Sequence, residues 1–186
     1  LYIKHFCFIC ILLMWILSLI PSCHREGEVG LSQNDQVGID SVVSACPDID
    51  SLQSCLRYFE RTANELGVIL AYKELGVRYR EAARFNEAIG CHREGLRLAM
   101  QRKHTSEVIQ ALNNIGTNFR RLGIMDEASN YHYRGLSLCE RLGDKESYKA
   151  RKNRTISLSG IGNVYLTLEN CEMADSIFRI VISAWP

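Results

Sequence analysis

The sequence predicts an all-α chain built as a short stack of helix hairpins. A pattern of Gly, aromatic and Ala recurs three times, and the apolar residues beyond Asp50 fall at helical spacing. No proline interrupts the stretch between Pro47 and Pro186. The chain has 186 residues, 47% hydrophobic and 23% charged, with 13 glycines and 3 prolines. That is enough for one domain or a short repeat array, and too apolar for disorder or a collagen-like chain. Lys4 is the only Lys, Arg, Asp or Glu in residues 1–22, so the net charge of +1 leaves the remainder formally neutral. A neutral chain without a dense basic face is a poor candidate for gripping nucleic acid.

The first element is an address. Residues 6–20 form an apolar run broken only by Ser18. About 15 residues span roughly 22 Å as a helix, short of the roughly 30 Å hydrocarbon core. A basic start, a short apolar middle and then a small residue predict a secretory signal peptide over 1–22. The closing Ile20-Pro21-Ser22-Cys23 resembles a bacterial lipobox. That resemblance implies cleavage before Cys23, lipidation of Cys23, and a chain anchored in the bacterial cell envelope facing the periplasm. An uncleaved anchor helix is the alternative, and Leu rather than Met at position 1 leaves room for an upstream start. Residues 23–48, with Gly27, Gly30, Gly38 and a polar stretch from Ser32 to Asp35, read as a flexible tether.

The repeats follow. Leu75-Gly76-x-x-Tyr79, Ile115-Gly116-x-x-Phe119 and Ile161-Gly162-x-x-Tyr165 share one pattern, and twelve residues after each Gly stands Ala88, Ala128 or Ala174. A Gly inside a helix costs about 1 kcal/mol against Ala, so its recurrence points to close approach by a second helix. The aromatic shares its face, and the Ala permits the same approach from the partner. Asn86, Asp126 and Glu172 are expected to accept free amides at the start of that partner helix. The set resembles the tetratricopeptide repeat, in its variety with longer helices, since the Gly-to-Gly periods are 40 and 46 residues. The resemblance implies a right-handed superhelical α-solenoid of about three antiparallel helix hairpins plus a leading partial repeat. Residues 49–67 form the leading helix, with Leu52, Leu56, Phe59 and Ala63 on one stripe. Repeat 1 covers 68–104, repeat 2 covers 105–146 and repeat 3 covers 147–186. First helices are expected at 68–82, 108–122 and 155–168, and second helices at 86–102, 126–142 and 172–184. The end at Trp185-Pro186 carries no polar capping helix, so the native chain is expected to continue, or Trp185 to cover part of the open core.

Catalytic chemistry finds no residues to carry it. There is no Gly-x-Ser-x-Gly elbow, no Gly-rich phosphate loop after a strand, and no paired carboxylates in an expected pocket. His92 and His132 are equivalent positions one repeat apart, with Phe178 in the third, which marks a packing slot rather than a metal site. Cys7 and Cys10 lie in the apolar run, where thiolate chemistry is opposed. Cys46, Cys55, Cys91, Cys139 and Cys171 show no zinc spacing and no disulfide framework, although an exported chain leaves one disulfide open. No cofactor is expected. Asn153-Arg154-Thr155 matches a glycosylation triplet of little weight, and the basic run from Lys145 to Arg154 reads as a solvated extension between repeats.

What remains is the face that the resemblance implies is concave. Three before, one after and four after each Gly stand Lys73, Val77 and Arg80; Asn113, Thr117 and Arg120; Ser159, Asn163 and Leu166. Arg pairs bidentately with carboxylates and Asn with peptide amides, which suits an extended acidic or C-terminal peptide. Val77 stands where chaperone-binding members need Asn, so a full two-carboxylate clamp is not expected. The function expected is a non-enzymatic, membrane-anchored scaffold that binds a protein or peptide partner. The alternative is the N-terminal sensor region of a longer membrane signalling protein, such as a histidine kinase or transcriptional regulator.

Overall fold

The computed structural model describes residues 35–142 and 147–183. The signal-peptide and lipidation assignments, including Cys23, lie outside these residues, as do 23–34 of the tether, the 143–146 connection and Trp185. Eight helices are described: α1 Gln36–Ser44, α2 Ile49–Arg61, α3 Glu65–Glu81, α4 Phe85–Gln101, α5 Thr105–Arg121, α6 Met125–Arg141, α7 Tyr148–Thr167 and α8 Cys171–Ser183. Among the described residues there is no strand. From α2 onward each helix packs on the next; α3 also touches α5, and α5 touches α7. The helices α3, α5 and α7 therefore make an inner layer, and α2, α4, α6 and α8 cover it. This is an α-solenoid, each hairpin burying its apolar face against its neighbours.

Helices α3 to α6 have 17 residues each, and the turns that join α2 through α6 have three. These turns share one backbone solution. At α3–α4, Ala83 takes φ 58°, its amide bonds the Arg80 carbonyl at 3.0 Å, and the Arg84 amide bonds the Tyr79 carbonyl at 2.8 Å. Ala63, Lys103, Gly123 and Glu169 repeat the left-handed residue at the other short turns. The bonds satisfy the last carbonyls of the preceding helix. Only Gly123 adopts this conformation without the roughly 1–2 kcal/mol cost that a Cβ imposes.

These turns also shift the caps. Arg84 and Ile124 hold the cap positions of α4 and α6 and make no side-chain cap bond. Asn86 and Asp126 lie one residue inside the helices, so the expectation that they cap is corrected. At α8 the cap is Asn170, whose Oδ1 accepts the Met173 amide at 3.1 Å, instead of Glu172.

Packing between layers rests on rings seated over glycines. A Cβ on Gly67 would lie 2.3 Å from the Phe59 ring, on Gly76 2.3 Å from His92, and on Gly162 2.8 Å from Phe178. His132 of α6 is gripped from two sides, since a Cβ on Gly116 would reach it at 2.9 Å and on Gly160 at 2.2 Å. Around these contacts Ile69, Ala99, Val108 and Leu112 form one buried cluster, and Leu158, Ile161 and Ile177 another.

Two expectations need correction. The second half of the supposed tether is helical: α1 starts from Asp35, whose side chain accepts the Gly38 amide at 2.9 Å. It buries Ile39 and Val43 and packs on α3. The exposed Val37 and Val42 mask its apolar stripe in the sequence, and the four-residue spacing from Ile39 to Val43 spans only a single turn. The third inner helix begins at Tyr148 rather than 155; of the six extra residues of the second period, three lengthen α7 to 20 residues and three lengthen the connection before it. Ser147 caps it by accepting the Ala150 amide at 3.2 Å.

Candidate peptide-binding face

The nine positions named from the repeat pattern fall on α3, α5 and α7, but the structure divides them. Lys73 Nζ bonds Asp40 Oδ1 of α1 at 3.0 Å, so its charge is already met. Val77 is half-buried beside it. Asn113 leaves the face altogether: it is buried, Nδ2 donates to Ser157 Oγ at 2.9 Å, and Oδ1 accepts from His132 Nδ1 at 2.9 Å. A residue engaged on both sides by its own fold has no group left for a partner, and its assignment to the binding face is withdrawn. Thr117 Oγ donates to the Asn113 carbonyl at 2.9 Å, inside its own helix. Ser159 and Asn163 are half-buried and Leu166 is exposed on α7. The Asn163 carbonyl accepts from Thr167 Oγ at 2.8 Å.

Arg80 and Arg120 remain, and they behave alike. Arg80 Nη1 donates to Asn114 Oδ1 of α5 at 3.2 Å, and Arg120 Nη1 to Thr167 Oγ of α7 at 3.5 Å. Each reaches across to the next inner helix and meets a neutral oxygen. The acids around Arg80 are engaged by Arg78, which holds Glu74 at 3.4 Å and Glu81 at 3.1 Å. Among the described residues no carboxylate pairs with Arg80, Arg120 or the exposed Arg121. Burial lowers the basicity of Arg80, with Glu81 opposing and Arg121 adding to the effect. Burial and Arg121 do the same for Arg120. A guanidinium stays charged regardless, so these are half-desolvated cations whose paired anion is not among the residues around them.

Behind each arginine lies a buried histidine. Burial, then the charge of Arg80, pushes His92 down to about 3, and burial with Arg120 pushes His132 down to about 4. Both rings are therefore neutral at ordinary pH. His132 belongs to a directed chain: its Nδ1–H donates to Asn113, Asn113 to Ser157, and Ser157 Oγ to the Asn153 carbonyl at 3.1 Å. Asn153 Nδ2 in turn donates to Ser106 Oγ at 3.1 Å. This order fixes the proton on Nδ1 and leaves Nε2 without a partner among the described residues. Neither nitrogen of His92 has one among the described residues. The Arg-and-His pairing, at four and sixteen residues after Gly76 and Gly116, stands in the sequence as two copies.

The cavity beside His92, lined by Ile69, Leu70, Lys73, Glu107 and Gln110, has a volume of about 10 Å³, room for one water. A larger groove of about 270 Å³ lies between α4, α5 and α6, floored by Leu96, Val108, Leu112 and Leu138. Among the described residues no group of three or more His, Cys, Asp or Glu is placed to hold a metal. The basic run is partly spent inside the fold, with Lys149 3.4 Å from Glu107 and Arg154 2.8 Å from Glu140. Asn153 is buried, so its glycosylation triplet is out of reach of an enzyme in the folded chain. Among the described residues no helix is long and apolar enough to cross a membrane.

Comparison with known proteins supports the architecture. No family model matches the chain, and no curated protein matches it. Among solved structures it is similar to the crystal structure of BtubC (BKLC) from P. vanneervenii, with a TM-score of 0.62 and 16% identity. The similarity covers 73% of this chain and 54% of that one, so the chain spans about half the length of the structure it matches. At this identity the likeness shows the helical-repeat fold and nothing of its use.

Proposed function

We propose that this chain is a non-enzymatic scaffold of the tetratricopeptide type whose inner layer binds the carboxylates of an acidic or C-terminal peptide, at the bacterial cell envelope. The observation that carries the reading is the pair Arg80 and Arg120. They stand one repeat apart, half-buried, bonded only to neutral oxygens and flanked by Arg121. A planar guanidinium in partial shelter binds a carboxylate more strongly than one in open water, because screening is weaker there. Two of them on adjacent inner helices offer a peptide two carboxylate contacts. Lys73 enters such a contact only if Asp40 of α1 gives it up. Anchoring by 1–22 or by lipid on Cys23 would present the face to partners outside the inner membrane.

Fluorescence anisotropy with a pool of labelled peptides ending in acidic residues tests the face. Wild-type chain is expected to bind, with affinity falling as salt rises. The double variant Arg80→Ala plus Arg120→Ala is expected to lose at least tenfold while keeping its melting temperature within a few degrees. Equal binding by wild type and the double variant would sink the reading. Intact mass and membrane fractionation with Cys23→Ala test the anchor separately, since lipidation would vanish in that variant.

A further inference from the structure

Helix α1 lies against the inner layer and outside the series of hairpins. It packs on α3 with Ile39 and Val43 buried, and Lys73 Nζ meets its Asp40 Oδ1 at 3.0 Å. At its other end Gln36 Nε2 donates to Glu107 Oε1 of α5 at 2.9 Å, and Lys149 Nζ of α7 donates to Gln36 Oε1 at 3.4 Å. One nine-residue helix thus reaches all three inner helices. Lys73 and Glu107 border one small cavity together with Leu70 and Gln110, so the surface beneath α1 runs from α3 onto α5.

The helix and its seat are unequal in strength. Nine residues are too few for a helix that stands alone in water, so α1 owes its form to the surface it covers. Two aliphatic side chains carry that packing, while Val37 and Val42 are exposed. The seat keeps its own charges in order without α1. Glu107 retains Lys149 at 3.4 Å, and Lys73, with 27% of its side chain exposed, turns its ammonium to water. Departure of α1 leaves no buried charge unpaired, only apolar surface to be covered again.

We propose that the inner layer under α1 is a helix-binding seat, that α1 is its resident occupant, and that an amphipathic helix of a partner protein takes its place. The fitting helix carries two aliphatic residues four apart and an acid directly after the first, as in Ile39-Asp40-x-x-Val43. Its aliphatics fill the places of Ile39 and Val43, and its acid pairs with Lys73. Charge selects the occupant, because Lys73 repels a basic residue at the position of the acid. The tether sets the threshold. Residues 45–48 join α1 to α2, so α1 rebinds at high effective concentration and a partner must outcompete it. The seat does not rest on the carboxylate-binding reading of Arg80 and Arg120, although displacement of α1 also frees Lys73.

The test uses the full chain and, as probe, a fluorescein-labelled peptide of residues 34–45, which ends before Cys46. The triple variant Ile39→Ser, Asp40→Ser and Val43→Ser empties the seat. It is expected to keep a cooperative melt and to bind the probe at least tenfold more tightly than wild type in fluorescence anisotropy. An Asp40→Lys probe is expected to lose that binding, and Lys73→Glu added to the triple variant to restore it. A Val42→Pro probe, altered at an exposed position, is expected to lose it too, because proline breaks the helix and leaves the contacting side chains in place. Arg80→Ala plus Arg120→Ala in the triple variant is expected to leave probe binding unchanged, which separates this seat from the carboxylate face. In the wild-type chain the amides of α1 are expected to exchange hydrogen at least tenfold faster than those of α3. Equal binding by wild type and triple variant, no rescue by the charge swap, or full binding of the Val42→Pro probe would each overturn the proposal. So would dependence on Arg80 and Arg120, or exchange of α1 in step with α3. A triple variant without a cooperative melt would overturn it as well, since α1 would then belong to the core.

Discussion

His92 and His132 occupy the same slot 40 residues apart, each seated on the glycine of its own inner helix and each beside an arginine. Their surroundings differ because the next repeat differs. Across from His132 stands Asn113, oriented by Ser157 on the lengthened α7, and the ring gains a donor role and a second glycine, Gly160. At the position of Asn113, repeat 1 has Lys73, drawn away by Asp40, and His92 keeps two nitrogens without a partner among the described residues. In the third repeat Leu166 and Phe178 replace the arginine and the histidine together. A packing slot thus accepts a ring of either kind. Whether the ring is also a polar junction depends on what the neighbouring hairpin supplies.

The largest test of this comparison breaks the slot itself. Gly116→Leu would drive a side chain into the His132 ring and into the Ala128 carbonyl, 3.0 Å from where a Cβ would stand. Backbone cannot give way as a flexible side chain can, so a loss of about 3 kcal/mol or more is expected in urea unfolding. An unchanged midpoint would show that the hairpin register is wrong.

Acid probes both rings at once. The folded values of about 3 and about 4 lie below the usual 6.5, so the unfolded chain takes up protons that the folded chain refuses. Stability from the two neutral rings is complete above pH 6.5 and is lost as pH falls toward 4 and then 3. The slope approaches about 1.4 kcal/mol per pH unit for each histidine. Unfolding measured from pH 7 to pH 4.5 should show this decline, and His92→Phe should remove about half of it. A flat profile would mean that the rings are not buried neutral.

The smallest effect separates the two sites. His92→Phe, copying Phe178, is expected to change stability at pH 7 by less than about 1 kcal/mol, since no protein hydrogen bond is lost. His132→Phe leaves Asn113 Oδ1 buried and unpaired, and is expected to cost about 1–3 kcal/mol. Equal effects would mean that the Asn113–Ser157 chain contributes nothing specific.

Much of the fold was legible because its signals are local. A Gly followed by an aromatic three residues on and an Ala twelve on describes one hairpin, and α3 to α6 begin within three residues of their expected starts. The capping expectation failed for a reason local sequence does not show: the left-handed turn residue at 83, 123 and 169 moves the cap to 84, 124 and 170. The same limit hid α1, whose nine residues are held by α3. It also placed Asn113 on a face that it does not occupy.

The sequence by itself determined the all-α class, the hairpin repeats and the slots for His92, His132 and Phe178. Each of these is set by residues within one helix or one hairpin. Only the tertiary structure decided that Asn113 is spent on Ser157, 44 residues away, and that Asp40 covers Lys73. It also decided that Arg80 and Arg120 pair with no carboxylate among the described residues. Those outcomes depend on which polar group arrives first at a half-buried partner across helices, and that competition is settled by packing rather than by periodicity.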